Sequence, residues 1–192
     1  PKASSSVMSM QIVLKARVYW KHKQFQTIMS AIASNLQAVR ARIDKAARAA
    51  GRAPEAVRLL AVSKTWPLDC VIAAARAGQR AFGENYVQEG VAKAMATVNL
   101  DLTWHFIGPL QSNKTRPVAE HFAWVHSLDR LKIAERLSAQ RPPELPPLQV
   151  CIQVNVSGEA SKSGCAPAEA VTLCRAVAAL PHLQLRGLMA IP

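Results

Sequence analysis

Leu59-Leu60-Ala61-Val62-Ser63-Lys64-Thr65-Trp66-Pro67 decides the fold: an apolar run breaks into a short polar turn, and a helix-compatible stretch follows at 68–77. The same unit repeats along the chain. Apolar or β-branched runs recur at 80–84, 103–108, 124–128, 148–155 and 183–191, separated by helix-compatible stretches near 86–97, 114–121, 129–139 and 167–179. Repeated strand-then-helix units specify a parallel sheet, either a barrel or a doubly wound layer. Several runs are apolar without alternation, as parallel strands covered on both faces are. The Ser63–Pro67 turn favours the barrel, because it carries neither GxGxxG nor GxxxxGK(S/T), the phosphate-binding patterns that follow a first strand. The expected class is α/β, a (β/α)8-type barrel. Six strand candidates stand where a closed barrel has eight, so the barrel is expected to be incomplete.

Upstream of this pattern, Ser30 can cap a helix in which Ile32, Leu36, Val39 and Ile43 recur at spacings of 4, 3 and 4. Gly51 ends it and Pro54 follows. Residues 1–28 differ in composition from all that follows. They begin near a Ser run (Ser4, Ser5, Ser6) and hold Lys2, Lys15, Arg17, Lys21 and Lys23 with no acid. A transit peptide or a surface amphipathic segment has this composition. The favoured reading is an extension ahead of a start at Met29, leaving residues 29–192 as the barrel.

Half of the 192 residues are apolar and 19% are charged, which suits one folded domain rather than a disordered chain. The net charge is +12, of which residues 1–28 supply +5. That balance suits an anionic ligand. It admits nucleic acid as a partner, but no helix-turn-helix, RNP-like or zinc-finger pattern accompanies it, so neither nucleic acid nor a membrane is expected. Cys70, Cys151, Cys165 and Cys174 form no CxxC pair and have no His at ligand spacing, so no metal is expected. Reduced thiols, three of them in apolar stretches, point to a cytoplasmic protein.

Barrel sites form at the C-terminal ends of the strands. Those ends read Lys64, Glu84-Asn85, His105 with Gly108, Ser127-Asp129, Asn155 and Met189. Lys64 is the only amine of the set. In a low-dielectric pocket a lysine loses its proton more readily and becomes a nucleophile toward carbonyls. A solvated lysine at a strand end is the plainer alternative. His105 reads either as a hydrogen-bonded core histidine or as a site residue at the barrel mouth. Glu84 can pair with a cation, and Asn85 can cap the next helix. Lys162, in the polar loop 159–164, belongs to a mobile lid or to a plain surface loop.

LLAVSKT (59–65), AFGENYVQEG (81–90), WHFIGPLQSNK (104–114), VNVSGEASKSG (154–164) and RGLMAIP (186–192) together resemble the YggS/PROSC pyridoxal-phosphate homeostasis family. The resemblance runs from about Met29 to Pro192, with the motifs in family order. It implies an alanine-racemase-like barrel that binds pyridoxal 5′-phosphate as a Schiff base on Lys64, with Asn85, His105 and Met189 lining the cofactor pocket. It also implies a carrier or buffer of the cofactor without catalytic turnover. Apo-enzymes would be its recipients, and the complete protein would be a monomer. The alternative is a pyridoxal-phosphate enzyme of the amino-acid racemase type. Such an enzyme needs an acid/base group on the second face of the cofactor. Members of the family continue past GLMAIP with an SxGMS-type and a GST-x-VRIG-type segment. By resemblance these hold the cofactor phosphate, so the chain is expected to be C-terminally truncated and to lack that cup.

Overall fold

The computed structural model describes the backbone of residues 4–159 and 161–191, and the side chains of 27–159 and 161–191. The chain divides into two compact units, residues 1–58 with 67–79, and residues 59–66 with 80–192.

The first unit is helical. Helix α1 spans Ser4–Ala49 and α2 spans Leu68–Arg76, with a short 3-10 turn at Pro54–Ala56. Gly51 ends α1 in the left-handed conformation expected of a helix terminator (φ 66°). Arg40 ties α1 to the end of α2, reaching the Ala77 carbonyl at 3.4 Å and Gln79 Oε1 at 3.2 Å. The helix expected to begin at Ser30 begins far earlier. Ser30 lies inside α1, and its hydroxyl donates to the Thr27 carbonyl one turn back, at 3.0 Å. A hydroxyl satisfied within the turn no longer marks a helix start. Of the extension expected over residues 1–28, the side chains of residues 1–26 lie outside the described residues.

The second unit holds the sheet: β1 (Ala61–Val62), β2 (Ala81–Glu84), β3 (Thr103–Phe106), β4 (Trp124–Leu128), β5 (Leu148–Gln153) and β6 (Leu183–Met189). All neighbours pair in parallel, in the order β1-β2-β3-β4-β5-β6. A doubly wound layer reverses its order at a switch point. The unbroken sequential order is that of a β/α barrel. Helices α3 (Val87–Ala96), α4 (Thr115–His121), α5 (Leu131–Gln140) and α6 (Pro167–Ala178) connect the strands. Pro167 opens α6 with its ring already at a helical φ, and the Glu169 carboxylate accepts the Ala166 N–H at 3.2 Å.

The core lies between the strands and these helices. Phe82, Trp104, Phe106, Val125, Val150 and Ile152 project from the sheet and are buried, as are Val118, Phe122, Ile133, Leu137 and Val177. Phe106 meets Phe122 edge-on at 5.5 Å. Helix α3 approaches closely enough that a Cβ on Gly90 would lie 2.5 Å from Phe122 Cζ. The opposite face is not the second apolar face that the unalternating runs suggested. Gly83, His105, Trp124 and Gln149 stand in register across it, and with the two-residue period it also carries His126, Cys151 and Gln153. Among the cysteines only Cys165 is buried, the other three being half-buried, and all four are free.

Candidate functional site

Lys64 follows β1 directly and is exposed, with no hydrogen bond or ion pair to its amine among the described residues. The low-dielectric surroundings expected around it are absent. Lys64 follows a two-residue strand that has a neighbour on one side only. Its main chain is firmly held. Ser63 N–H donates to the Gly83 carbonyl at 3.0 Å, Trp66 N–H closes a turn onto the Ser63 carbonyl at 3.1 Å, and Thr65 sits at φ 65°.

Glu84, at the end of β2, finds its cation in Lys93 of α3 at 2.7 Å, both side chains being almost wholly buried. Lys93 also meets Glu89 at 2.8 Å. The Lys93 hydrogen bond holds the Glu89 carboxyl below its ordinary value against the opposing effect of burial, and the Thr65 N–H adds to it. Lys93 and Glu89 were not among the strand-end candidates, because they reach the site from a helix.

Asn85 does not cap α3, whose N-cap is Tyr86 without a side-chain bond. Its Oδ1 is instead buried and has no hydrogen-bond partner among the described residues. The Asn85 backbone packs against Gly108, where an added Cβ would fall 2.3 Å from the Asn85 carbonyl oxygen. The strands β2 and β3 thus turn out of the sheet in contact.

His105 is buried on β3 and its Nδ1 lies 2.8 Å from His126 Nε2, a neighbour that spacing along the chain did not reveal. One ring must donate and the other accept, so the pair shares a single N–H between these nitrogens. Loss of water around His105, and then the proximity of His126, press its pKa down to about 3. Burial lowers His126 as well. Trp124 stacks on His105 (centroids 5.3 Å apart, 16° between planes), with the Arg186 guanidinium 5.9 Å from the Trp124 ring. Both imidazoles are neutral near pH 7 and serve as hydrogen-bonding groups rather than charges.

Met189 ends β6, paired with Gln153, and its carbonyl accepts the Val154 N–H at 2.8 Å. It borders an open apolar cavity of about 400 Å³ with Val154, Val156, Pro167, Ala170 and Leu188. The structure therefore brings Lys64, Asn85 and His105 onto three adjacent strands and leaves Met189 at the far end of the strand order. The other strand ends make local contacts. Asp129 pairs with Arg130 at 2.6 Å, and Ser127 donates to the Gly108 carbonyl. Asn155 organises the 155–164 loop by donating to the Glu159 and Lys162 carbonyls and accepting the Gly158 N–H. Lys162 pairs with Glu159 at 3.1 Å within that loop. No group of residues suited to a metal occurs among the described residues, and none of their helices is long and apolar enough to cross a membrane.

A parallel β/α sheet in unbroken sequential order, with an exposed lysine after its first strand, defines a protein of the β/α barrel class. Residues 34–192 match the family described as "Alanine racemase, N-terminal domain". The chain belongs to that family and, within it, to the pyridoxal phosphate homeostasis proteins. It is 66% identical over 164 residues to the protein of that name from Pseudomonas aeruginosa, covering 85% of this chain and 71% of the relative. PipY of Synechococcus elongatus, solved with PLP bound, superposes with a TM-score of 0.69 at 38% identity, over 84% of this chain and 70% of its own. Alanine racemase from Corynebacterium glutamicum shares the fold with a TM-score of 0.60 at 18% identity, over 84% of this chain and 44% of the racemase.

Proposed function

We propose that this chain binds pyridoxal 5′-phosphate as a Schiff base through Lys64 and serves intracellular homeostasis of that cofactor, as a carrier or buffer without turnover. The observation that carries the reading is PipY, a relative of the same fold with PLP bound. The residues fit such a ligand: an exposed amine with no competing partner among the described residues just after β1, and, just after β2, a buried Asn85 Oδ1 awaiting a donor. When bound, pyridoxal phosphate supplies an aldehyde. Lys64 would present to it the amine of a Schiff base, with water as the product of the condensation. Asn85 Oδ1 accepts a hydrogen bond from a ligand or a ligand-bound water. The neutral His105 imidazole offers hydrogen bonding without adding positive charge, and Met189 adds apolar surface at the rim. Recipient apo-enzymes, a monomeric state and a cytoplasmic location belong to the same proposal, the free thiols suiting a reducing compartment.

Borohydride reduction of the chain with the cofactor is expected to fix it on the Lys64 peptide, and Lys64→Ala to abolish both the adduct and the yellow absorbance. Full absorbance in that variant would move the assignment to another lysine, Lys162 first. Amino acids that discharge the absorbance and are converted to product would instead establish a racemase-type enzyme.

A further inference from the structure

Both peptide units of Lys64 are held by one charged cluster. The carbonyl of the Ser63–Lys64 unit accepts from the Lys93 ammonium at 2.7 Å, and the N–H of the Lys64–Thr65 unit donates to Glu89 Oε1 at 2.8 Å. The same ammonium holds Glu84 Oε1 at 2.7 Å and Glu89 Oε1 at 2.8 Å, and Ser63 Oγ donates to Glu84 Oε1 at 2.7 Å. Lys93 is 6% exposed and Glu84 0%. Removing an ammonium and a carboxylate from water is unfavourable unless the geometry and the remaining hydrogen bonds are good. Here the ammonium spends all three of its N–H bonds on the turn that carries Lys64 and on the two carboxylates beside it. That turn needs outside support, because Thr65 occupies the left-handed region that a β-branched residue rarely adopts.

We propose that Lys93, with Glu84 and Glu89, is a positioning device that fixes the main chain on both sides of Lys64 and so aims its amine at the aldehyde of the ligand. The inference rests on Lys64 being the pyridoxal-phosphate lysine. The cluster touches the main chain and leaves the Lys64 amine free, which separates it from groups that act on the ligand. It reaches the Lys64 main chain from α3, through the side chains of Lys93 and Glu89. Fixing the two peptide planes removes backbone freedom that the flexible lysine stem would otherwise add to its own, and misplacement of a reacting group by about 1 Å costs on the order of a hundredfold in rate.

Glu89 is the outer member of the cluster, its side chain 29% exposed, and offers the cleanest test. Glu89→Ala removes the acceptor of the Thr65 N–H, whereas Glu89→Gln keeps an oxygen there. With pyridoxal phosphate in excess, the rate of forming the borohydride-trapped Lys64 adduct is expected to fall on the order of tenfold in Glu89→Ala. Glu89→Gln should restore most of it. Hydrogen exchange read at the Thr65 amide is expected to be slow in the unaltered chain and fast in Glu89→Ala. Lys93→Met should behave as Glu89→Ala does; if it unfolds the chain, the Glu89 pair and the amide exchange decide. Wild-type rate in Glu89→Ala, or fast Thr65 exchange in the unaltered chain, would overturn the positioning role. Lys64→Ala run in parallel separates the two readings: adduct surviving there defeats the assignment of Lys64, while its loss together with a normal Glu89→Ala rate defeats the clamp alone.

Discussion

Between about pH 6.5 and about pH 3 an unfolded chain takes up a proton at His105 that the folded chain refuses, because the folded imidazole is buried against His126. The folded pKa is depressed, so this contribution to stability is full above the unfolded value and is lost as pH falls toward the folded one. Denaturant melts from pH 7 to pH 4.5 are expected to lose stability more steeply in the unaltered chain than in His105→Gln; parallel curves would mean that His105 is solvated. Gly108 carries a steric expectation of similar sharpness. A Cβ there meets the Asn85 carbonyl oxygen at 2.3 Å and its Cα at 2.8 Å, both backbone atoms that cannot rotate away. Gly108→Ala is expected to cost about 1–3 kcal/mol, as overpacking does, read by urea unfolding. No change would show that the two strand ends are not in contact. At this scale the places of Lys64 and Asn85 just after their strands were readable from the apolar runs that precede them. The exposure of Lys64 was not, since it depends on which segments the fold brings near it.

Helix α1 gives the element-scale prediction. The described contacts between α1 and α2 begin at Met29, where Arg76 Nη1 lies 3.9 Å from Sδ, and continue at Arg40. Thr27 and Ile28 are exposed. Deleting residues 1–28 would leave Ser30 at a new helix start, where its hydroxyl can act as the cap that it cannot be inside α1. The thermal stability of the remaining chain is expected to change by no more than about 1 kcal/mol, the range for changes that touch no core. A large fall in melting temperature would make the basic segment part of the fold. The later helices were legible because apolar periodicity and local punctuation define them, as with Pro167 opening α6. The start of α1 was not, because Ser30 offers the same hydroxyl to a cap and to the preceding turn. Strand β1 is shorter than its apolar run, because only Ala61 and Val62 find ladder partners on β2.

For the whole molecule, β1 and β6 stand at the two ends of the strand order, each with one neighbour. Each therefore carries a row of backbone N–H and C=O groups without a sheet partner among the described strands, the places at which further strands add. Titrating pyridoxal 5′-phosphate against unphosphorylated pyridoxal measures how far the described sheet recognises the phosphate: each charge-assisted hydrogen bond to a phosphate contributes about 1.5–3 kcal/mol, so two such bonds would separate the ligands by two to four orders of magnitude, roughly.

The sequence by itself determined the class of fold and the place of the lysine. A parallel β/α sheet is built from local repeats, and each apolar run followed by a polar turn records one unit without reference to its neighbours. The tertiary structure alone decided which groups meet. His105 faces His126 because β3 and β4 pair His105 with Trp124, a register that no spacing along the chain encodes. Lys93 reaches Ser63 and Glu84 because α3 folds back over the ends of β1 and β2, whereas its pair with Glu89, four residues earlier on the same helix, is local. Burial of charge and the pairing of rings depend on distances between segments, and those distances exist only once the sheet has formed.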